Sequence, residues 1–104
     1  PLRYLTGLTE LHLSMSERLE DISPLSTLTS LTTLSLNGTS VTDLSPISGL
    51  TSLEVLDIEG CEIEDVTALY SLKNLRTLYA AGCGLTQQQI DELGRQLPNC
   101  TIYT

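Results

Sequence analysis

His12, Ser35 and Asp57 are the residue types from which a hydrolase builds a base, a nucleophile and an orienting acid, and they stand 23 and 22 residues apart. Such spacing brings three side chains together only if the chain winds back on itself about once per interval. The order is then wrong for acyl transfer, which needs the imidazole between nucleophile and carboxylate. Ser35 falls in the middle, leaving His12 and Asp57 roughly two strand spacings apart, about 10 Å. No catalysis is expected, and His12 reads as an ordinary exposed histidine. Cys61, Cys83 and Cys100 form no C-x-x-C pair and have no nearby His, so they offer no zinc-type ligand set. Their odd number argues against a full disulfide framework. Glu54, Asp57, Glu59, Glu62, Glu64 and Asp65 crowd one stretch. Their spacing matches no dedicated calcium loop, so a solvated face is expected, with a basic partner or a weak Ca²⁺ site as the alternatives. No cofactor is implied.

The elements that must position these residues emerge from self-similarity. Leu31–Leu50 moved on by 22 residues lies over Leu53–Leu72: Leu31, Leu34, Leu36, Val41, Leu44, Ile47 and Leu50 recur as Leu53, Leu56, Ile58, Ile63, Val66, Leu69 and Leu72. Thr39 and Cys61 share one further column. The unit restarts at Leu75, Leu78 and Ala80, then Cys83 and Leu85; an earlier copy starts at Leu8, Leu11 and Leu13. The spare residue of that first copy falls in Ser14–Arg18, where a loop absorbs it. A repeat cannot bury its apolar face alone, so each copy must take its core from its neighbours. Within a unit, Leu-x-Leu alternation marks a short strand with one buried face. Ser23-Pro24 and Ser45-Pro46, replaced by Thr67-Ala68 in the third copy, predict a helical turn, with the hydroxyl as N-cap and Pro in the first turn.

The motif L-x-x-L-x-L-x-x-(T/C)-x-(V/I)-x-x-(L/V), with its T-D-L-S-P-I stretch at 42–47, resembles the leucine-rich repeat in its 22-residue, bacterial internalin-like form. The resemblance covers nearly all of the chain. It implies an α/β solenoid, a right-handed superhelix with a short parallel sheet on the concave face and short 3-10 or α turns on the convex face. It also implies a non-catalytic domain that binds a protein or peptide, and a secreted or cell-surface location; unpaired thiols suit the alternative, a reducing cytoplasm. The family's asparagine, whose amide ties successive turns together, is replaced here by Thr39, Cys61 and Cys83. Fewer hydrogen bonds per rung are expected. Cys61 and Cys83 share this inward column within disulfide range, but two buried thiols are the expected state.

The 104 residues read as a single domain: a truncated half repeat at 1–7, repeats at 8–30, 31–52 and 53–74, and a last repeat with a C-terminal cap at 75–104. Pro1, Leu2, Leu5 and Leu8 align with Pro24, Leu25, Leu28 and Leu31, so a fragment of a longer array is expected, with the strand around Leu11 and Leu13 at an open edge. Near the other end Thr86 is placed to cap a true helix carrying Ile90, Leu93 and Leu97 on one stripe, with Gln88, Gln89, Asp91, Glu92 and Arg95 opposite. Pro98 stops it, and Cys100–Tyr103 reads as a final strand. This is the polar cap a solenoid needs for solubility. With no Phe and no Trp, the core must be layered Leu, Ile and Val.

A net charge of −8 opposes binding to a phosphate backbone or an anionic membrane surface. No run approaches the ~20 apolar residues of a membrane span, and no signal peptide is recognised. A monomer is expected. Alternation then assigns the exposed columns of the sheet. The central one is His12, Ser35, Asp57 and Tyr79, extended by Tyr103. Glu10, Thr33, Val55 and Thr77 flank it on one side, and Ser14, Asn37, Glu59 and Ala81 on the other. The candidate ligand-binding residues are Glu10, His12, Thr33, Ser35, Asn37, Asp57, Glu59, Tyr79 and Tyr103. Tyr79 is the foremost, because Tyr brings large amphipathic area at little rotamer entropy; its other reading is a half-exposed cover for Thr77 and Ala81.

Overall fold

The computed structural model describes residues 7–14 and 16–104. Residues 1–6 of the expected half repeat, and Met15 of the expected loop, lie outside them. Five three-residue strands, β1 (Glu10–His12), β2 (Thr33–Ser35), β3 (Val55–Asp57), β4 (Thr77–Tyr79) and β5 (Thr101–Tyr103), pair in chain order into one parallel sheet. Parallel neighbours need a crossover. Three are 3-10 turns, at Ser23–Thr27, Ser45–Ile47 and Thr67–Ser71, and the fourth is the helix α1 (Gln87–Gln96).

The 22-residue register is visible in the pairing itself: Leu11, Leu34, Leu56, Leu78 and Ile102 sit opposite one another, rung upon rung. Leu34, Leu56 and Leu78 are fully buried, as are Leu31, Leu36, Leu50, Leu53 and Leu72. One apolar core runs through every repeat from Ile22 to Leu97, and Leu8, Leu11, Leu13 and Leu19 pack on it half-buried. The gradient follows from topology, since among the described residues β1 pairs only with β2. No helix among the described residues is long and apolar enough to cross a membrane.

Beyond the strands the backbone ladder continues. Leu36 N–H donates to Asp57 O at 2.8 Å, Ile58 N–H to Tyr79 O at 2.9 Å and Ala80 N–H to Tyr103 O at 2.7 Å. Gly38 N–H and Gly60 N–H do the same to Glu59 O and Ala81 O at 2.9 and 3.0 Å. Gly38, Gly60 and Gly82 all hold φ near +75° (74°, 76° and 74°), a left-handed conformation that a side chain disfavours. The chain leaves the sheet through this column of turns.

The Thr39, Cys61 and Cys83 column is buried and its cysteines are free thiols. Cys61 Sγ donates to Leu36 O at 3.0 Å and Cys83 Sγ to Ile58 O at 2.8 Å, each reaching one repeat back. Thr39 Oγ1 lies 3.4 Å from Cys61 Sγ. Each thiol thus donates one hydrogen bond to the backbone of the preceding repeat, where an amide would offer two donors and an acceptor. Burial pushes the Cys83 thiol up to about 11, with the Cys61 thiol adding to the rise.

The starts of the turns differ from the sequence expectation. Pro24 and Pro46 do occupy the first positions, but no side chain caps the residue preceding the turn. The acceptor is an aspartate two residues upstream. Asp21, Asp43 and Asp65 each accept through Oδ1, at 2.9 Å, from the backbone N–H of Ser23, Ser45 and Thr67. A carboxylate accepts a stronger hydrogen bond than a hydroxyl, and at this spacing it forms an Asx turn. Those N–H bonds hold the Asp21 and Asp65 carboxyls below their ordinary value. At α1 the expectation and structure agree: Thr86 Oγ1 accepts from Gln89 N–H at 3.1 Å, while Gln89 Oε1 accepts from Thr86 N–H at 2.9 Å, a reciprocal capping box.

Candidate ligand-binding face

The exposed side of the sheet carries the residues between the buried leucines. Register places His12, Ser35, Asp57, Tyr79 and Tyr103 on successive rungs of one column. Glu10, Thr33, Val55, Thr77 and Thr101 form a second. Thr101 lies in the expected final strand but alternation assigns it no column, because α1 makes the last interval longer than 22 residues.

The His12, Ser35 and Asp57 rungs do not form a triad. Ser35 pairs with His12 on one side and Asp57 on the other, and its hydroxyl lies 3.2 Å from that of Ser14. The His12 ring turns to Glu10 instead, Nε2 to Oε1 at 3.5 Å, with both side chains well exposed.

The exposure expected of Ser35 is not found: it is only 7% exposed. A side chain of two heavy atoms between two long neighbours lies below their reach. Ser35 is therefore floor, not rim. Thr33, Asn37, Asp57 and Glu59 are half-buried, while Glu10, His12, Tyr79 and Tyr103 are exposed. Tyr79 and Tyr103, at 38% and 52%, are the exposed large hydrophobic side chains among the described residues. Their rings stack, with centroids 5.2 Å apart and planes 14° from parallel. Adjacent parallel strands impose nearly that distance, so the sheet itself sets the stack. Asp57 Oδ1 accepts from Glu59 N–H at 3.0 Å, fixing the carboxylate beside Tyr79.

A family model of leucine-rich repeats, in two copies, matches residues 29–71. An internalin (InlF) from Listeria monocytogenes is 33% identical, with a TM-score of 0.82 over 98% of this chain and 32% of its own. An internalin C2 (InlC2) from the same organism is 30% identical, with a TM-score of 0.83 over 97% of this chain and 43% of its own. This chain is an internalin-like leucine-rich repeat protein. A leucine-rich repeat protein from Leptospira interrogans gives a TM-score of 0.84 at 25% identity, over 93% of this chain and 25% of its own. No curated protein sequence matches it. The chain spans about a third of the length of InlF and under half that of InlC2.

Leucine-rich repeat folds of this kind are typically protein-interaction modules and generally non-enzymatic. In this leucine-rich repeat solenoid the sheet face is set by backbone pairing, and its outward side chains are free to differ from rung to rung. Two features of the face lay outside the sequence reading. Tyr103 is expected to extend the Tyr79 column, and the register of Leu78 with Ile102 agrees with that, but the stacking of the two rings had no signal in the sequence. The fixing of Asp57 by Glu59 was signalled by nothing more than an aspartate two residues before a backbone N–H.

Proposed function

We propose that the chain is a non-catalytic recognition module whose sheet face binds a protein or peptide ligand. One observation carries this reading. Among the described residues the exposed large aromatic side chains are Tyr79 and Tyr103, stacked together on that face. The residues proposed to meet the ligand are Glu10, His12, Thr33, Asn37, Asp57, Glu59, Tyr79 and Tyr103, with Ser35 supporting the floor. The backbone ladder holds these groups in place before binding, which lowers the ordering cost of association. A net charge of −8 disfavours nucleic acid. The likeness to internalins supports a secreted or surface location.

The test is to select peptides against the native chain by phage display and to map each by amide chemical shifts. Shifts centred on β2–β5 outward positions are expected; a map confined to the 3-10 turns refutes the assignment. A second reading, a structural cap or spacer within a larger protein, draws on the polar outer side of α1, where Gln87 Nε2 donates to Asp91 and Arg95 pairs with Glu92. On that reading no selected peptide perturbs the sheet face.

A further inference from the structure

Among the described residues Tyr79 has a stacking partner on one side only. Tyr103 on β5 covers one face of its ring, and the neighbour on the other side, at the matching position of β3, is Asp57. Glu59 follows Asp57 by two residues with the buried Ile58 between them, so it is directed to the same side of the sheet. The ring face turned away from Tyr103 thus stands beside the Asp57 rung, with Glu59 two positions further along the same side.

Those carboxylates have no ion-pair partner among the described residues. Among the described residues the ion pairs are His12 with Glu10, Arg76 with Glu54, and Arg95 with Glu92. Lys73 donates to Gln96 O at the end of α1. None of these reaches Asp57 or Glu59. Asp57 is partly buried and its Oδ1 is held by the Glu59 N–H, so its carboxylate is oriented before any ligand arrives. A half-buried, oriented carboxylate attracts a cation more strongly than one on a flexible exposed side chain.

We infer that the β3–β4 border of the sheet face recognises the guanidinium of an arginine in a basic peptide segment, seated on the face of Tyr79 turned away from Tyr103 and paired with Asp57 and Glu59. This rests on the reading of the sheet face as the binding face and adds the chemistry of the partner. Arginine is favoured over lysine because its planar cation stacks on an aromatic ring and presents a fork of donors to carboxylates. The ring supplies the plane, and the two acids supply acceptors to its edge. The −8 net charge draws basic segments toward the surface and disfavours acidic ones.

The experiment titrates the labelled chain with Ac-Gly-Arg-Gly-Arg-Gly-NH₂, with its lysine counterpart, and with its citrulline counterpart, which keeps the planar shape and lacks the charge. The arginine peptide is expected to shift Asp57, Glu59 and Tyr79 and to bind at least about five-fold more tightly than the citrulline peptide. Lysine is expected to fall between them. Asp57→Asn, which keeps an oxygen for the Glu59 N–H, is expected to weaken the arginine peptide about five-fold, and Tyr79→Thr about two- to five-fold. Glu64→Gln, on the acidic stretch outside the sheet, is expected to change nothing. Equal binding of arginine and citrulline peptides overturns the inference, as does indifference to Asp57→Asn or a shift map centred on Glu62–Asp65. If selected peptides still map to the sheet face while the arginine peptide does not, the cation inference alone has failed; if neither maps there, the face reading has failed with it.

Discussion

Leu56→Ala tests the stacked core at its centre. Leu56 is fully buried in β3 between Leu34 and Leu78 of the adjoining rungs. Truncating it removes contacts on both sides. The neighbours cannot slide in to fill the gap, because their strands are locked by ladder bonds such as Leu36 N–H to Asp57 O and Ile58 N–H to Tyr79 O, at 2.8 and 2.9 Å. The cavity therefore stays open, and the cost belongs in the upper part of the usual range for such a change, about 3–5 kcal/mol. Leu11→Ala makes the same chemical change on the half-buried edge rung and is expected to cost about 1–2 kcal/mol. With a urea dependence of about 2 kcal/mol/M, Leu56→Ala should lower the unfolding midpoint by about 2 M, and Leu11→Ala by less than 1 M. The readout is far-UV circular dichroism across a urea series for the two variants and the parent. Equal costs at the two positions, or a cost below about 1 kcal/mol for Leu56→Ala, would refute the stacked-layer account of the core.

Other consequences follow from the turns and thiols. Asp21 and Asp65 have carboxyls held below the ordinary value by the N–H groups of Ser23 and Thr67, so their stabilisation is full above the unfolded value near 3.8 and disappears as pH falls through the folded one. The thermal midpoint should drop on acidification below about pH 4, and in Asp21→Asn/Asp65→Asn that drop should be smaller; an undiminished drop contradicts the turn assignment. Gly60→Ala places a side chain at φ +76° and should cost about 1–2 kcal/mol by urea unfolding, with a neutral result counting against the left-handed turn column. Cys61 and Cys83 are buried while Cys100 is half-exposed; burial raises the thiols of both Cys83, to about 11, and Cys100, so access is what separates them. Iodoacetamide at pH 8 should therefore label Cys100 first in the folded chain and reach the other two only after denaturation; rapid native labelling of Cys83 would be inconsistent with its packing.

What could be read from the sequence was whatever the 22-residue period enforces. Leu34, Leu56 and Leu78 declare a buried row because each recurs in register, and the same register assigns the outward residues between them. Thr86 announced its helix because a capping hydroxyl and a glutamine three residues on are local signals. Ser35 shows where alternation stops being informative. It fixes which side of the sheet a residue takes, but exposure also depends on the length of the side chains on adjacent rungs. The turn caps were misassigned for a related reason: Ser before Pro and Asp two residues earlier both offer an oxygen, and the choice between them depends on backbone angles that composition does not reveal. The column placed Tyr103 after Tyr79 even across the longer interval filled by α1, but whether the two rings stack depends on side-chain angles that alternation does not set.

The most direct test of the recognition claim is the affinity of a display-selected, sheet-mapped peptide for the parent chain and for the double variant Tyr79→Thr/Asp57→Asn, measured by calorimetry alongside the thermal midpoint. The account predicts at least about a tenfold loss of affinity, roughly 1.4 kcal/mol, while the midpoint moves by only a few degrees, because one side chain is exposed and the other keeps its bond to the Glu59 N–H. Affinity retained in a folded double variant would contradict it.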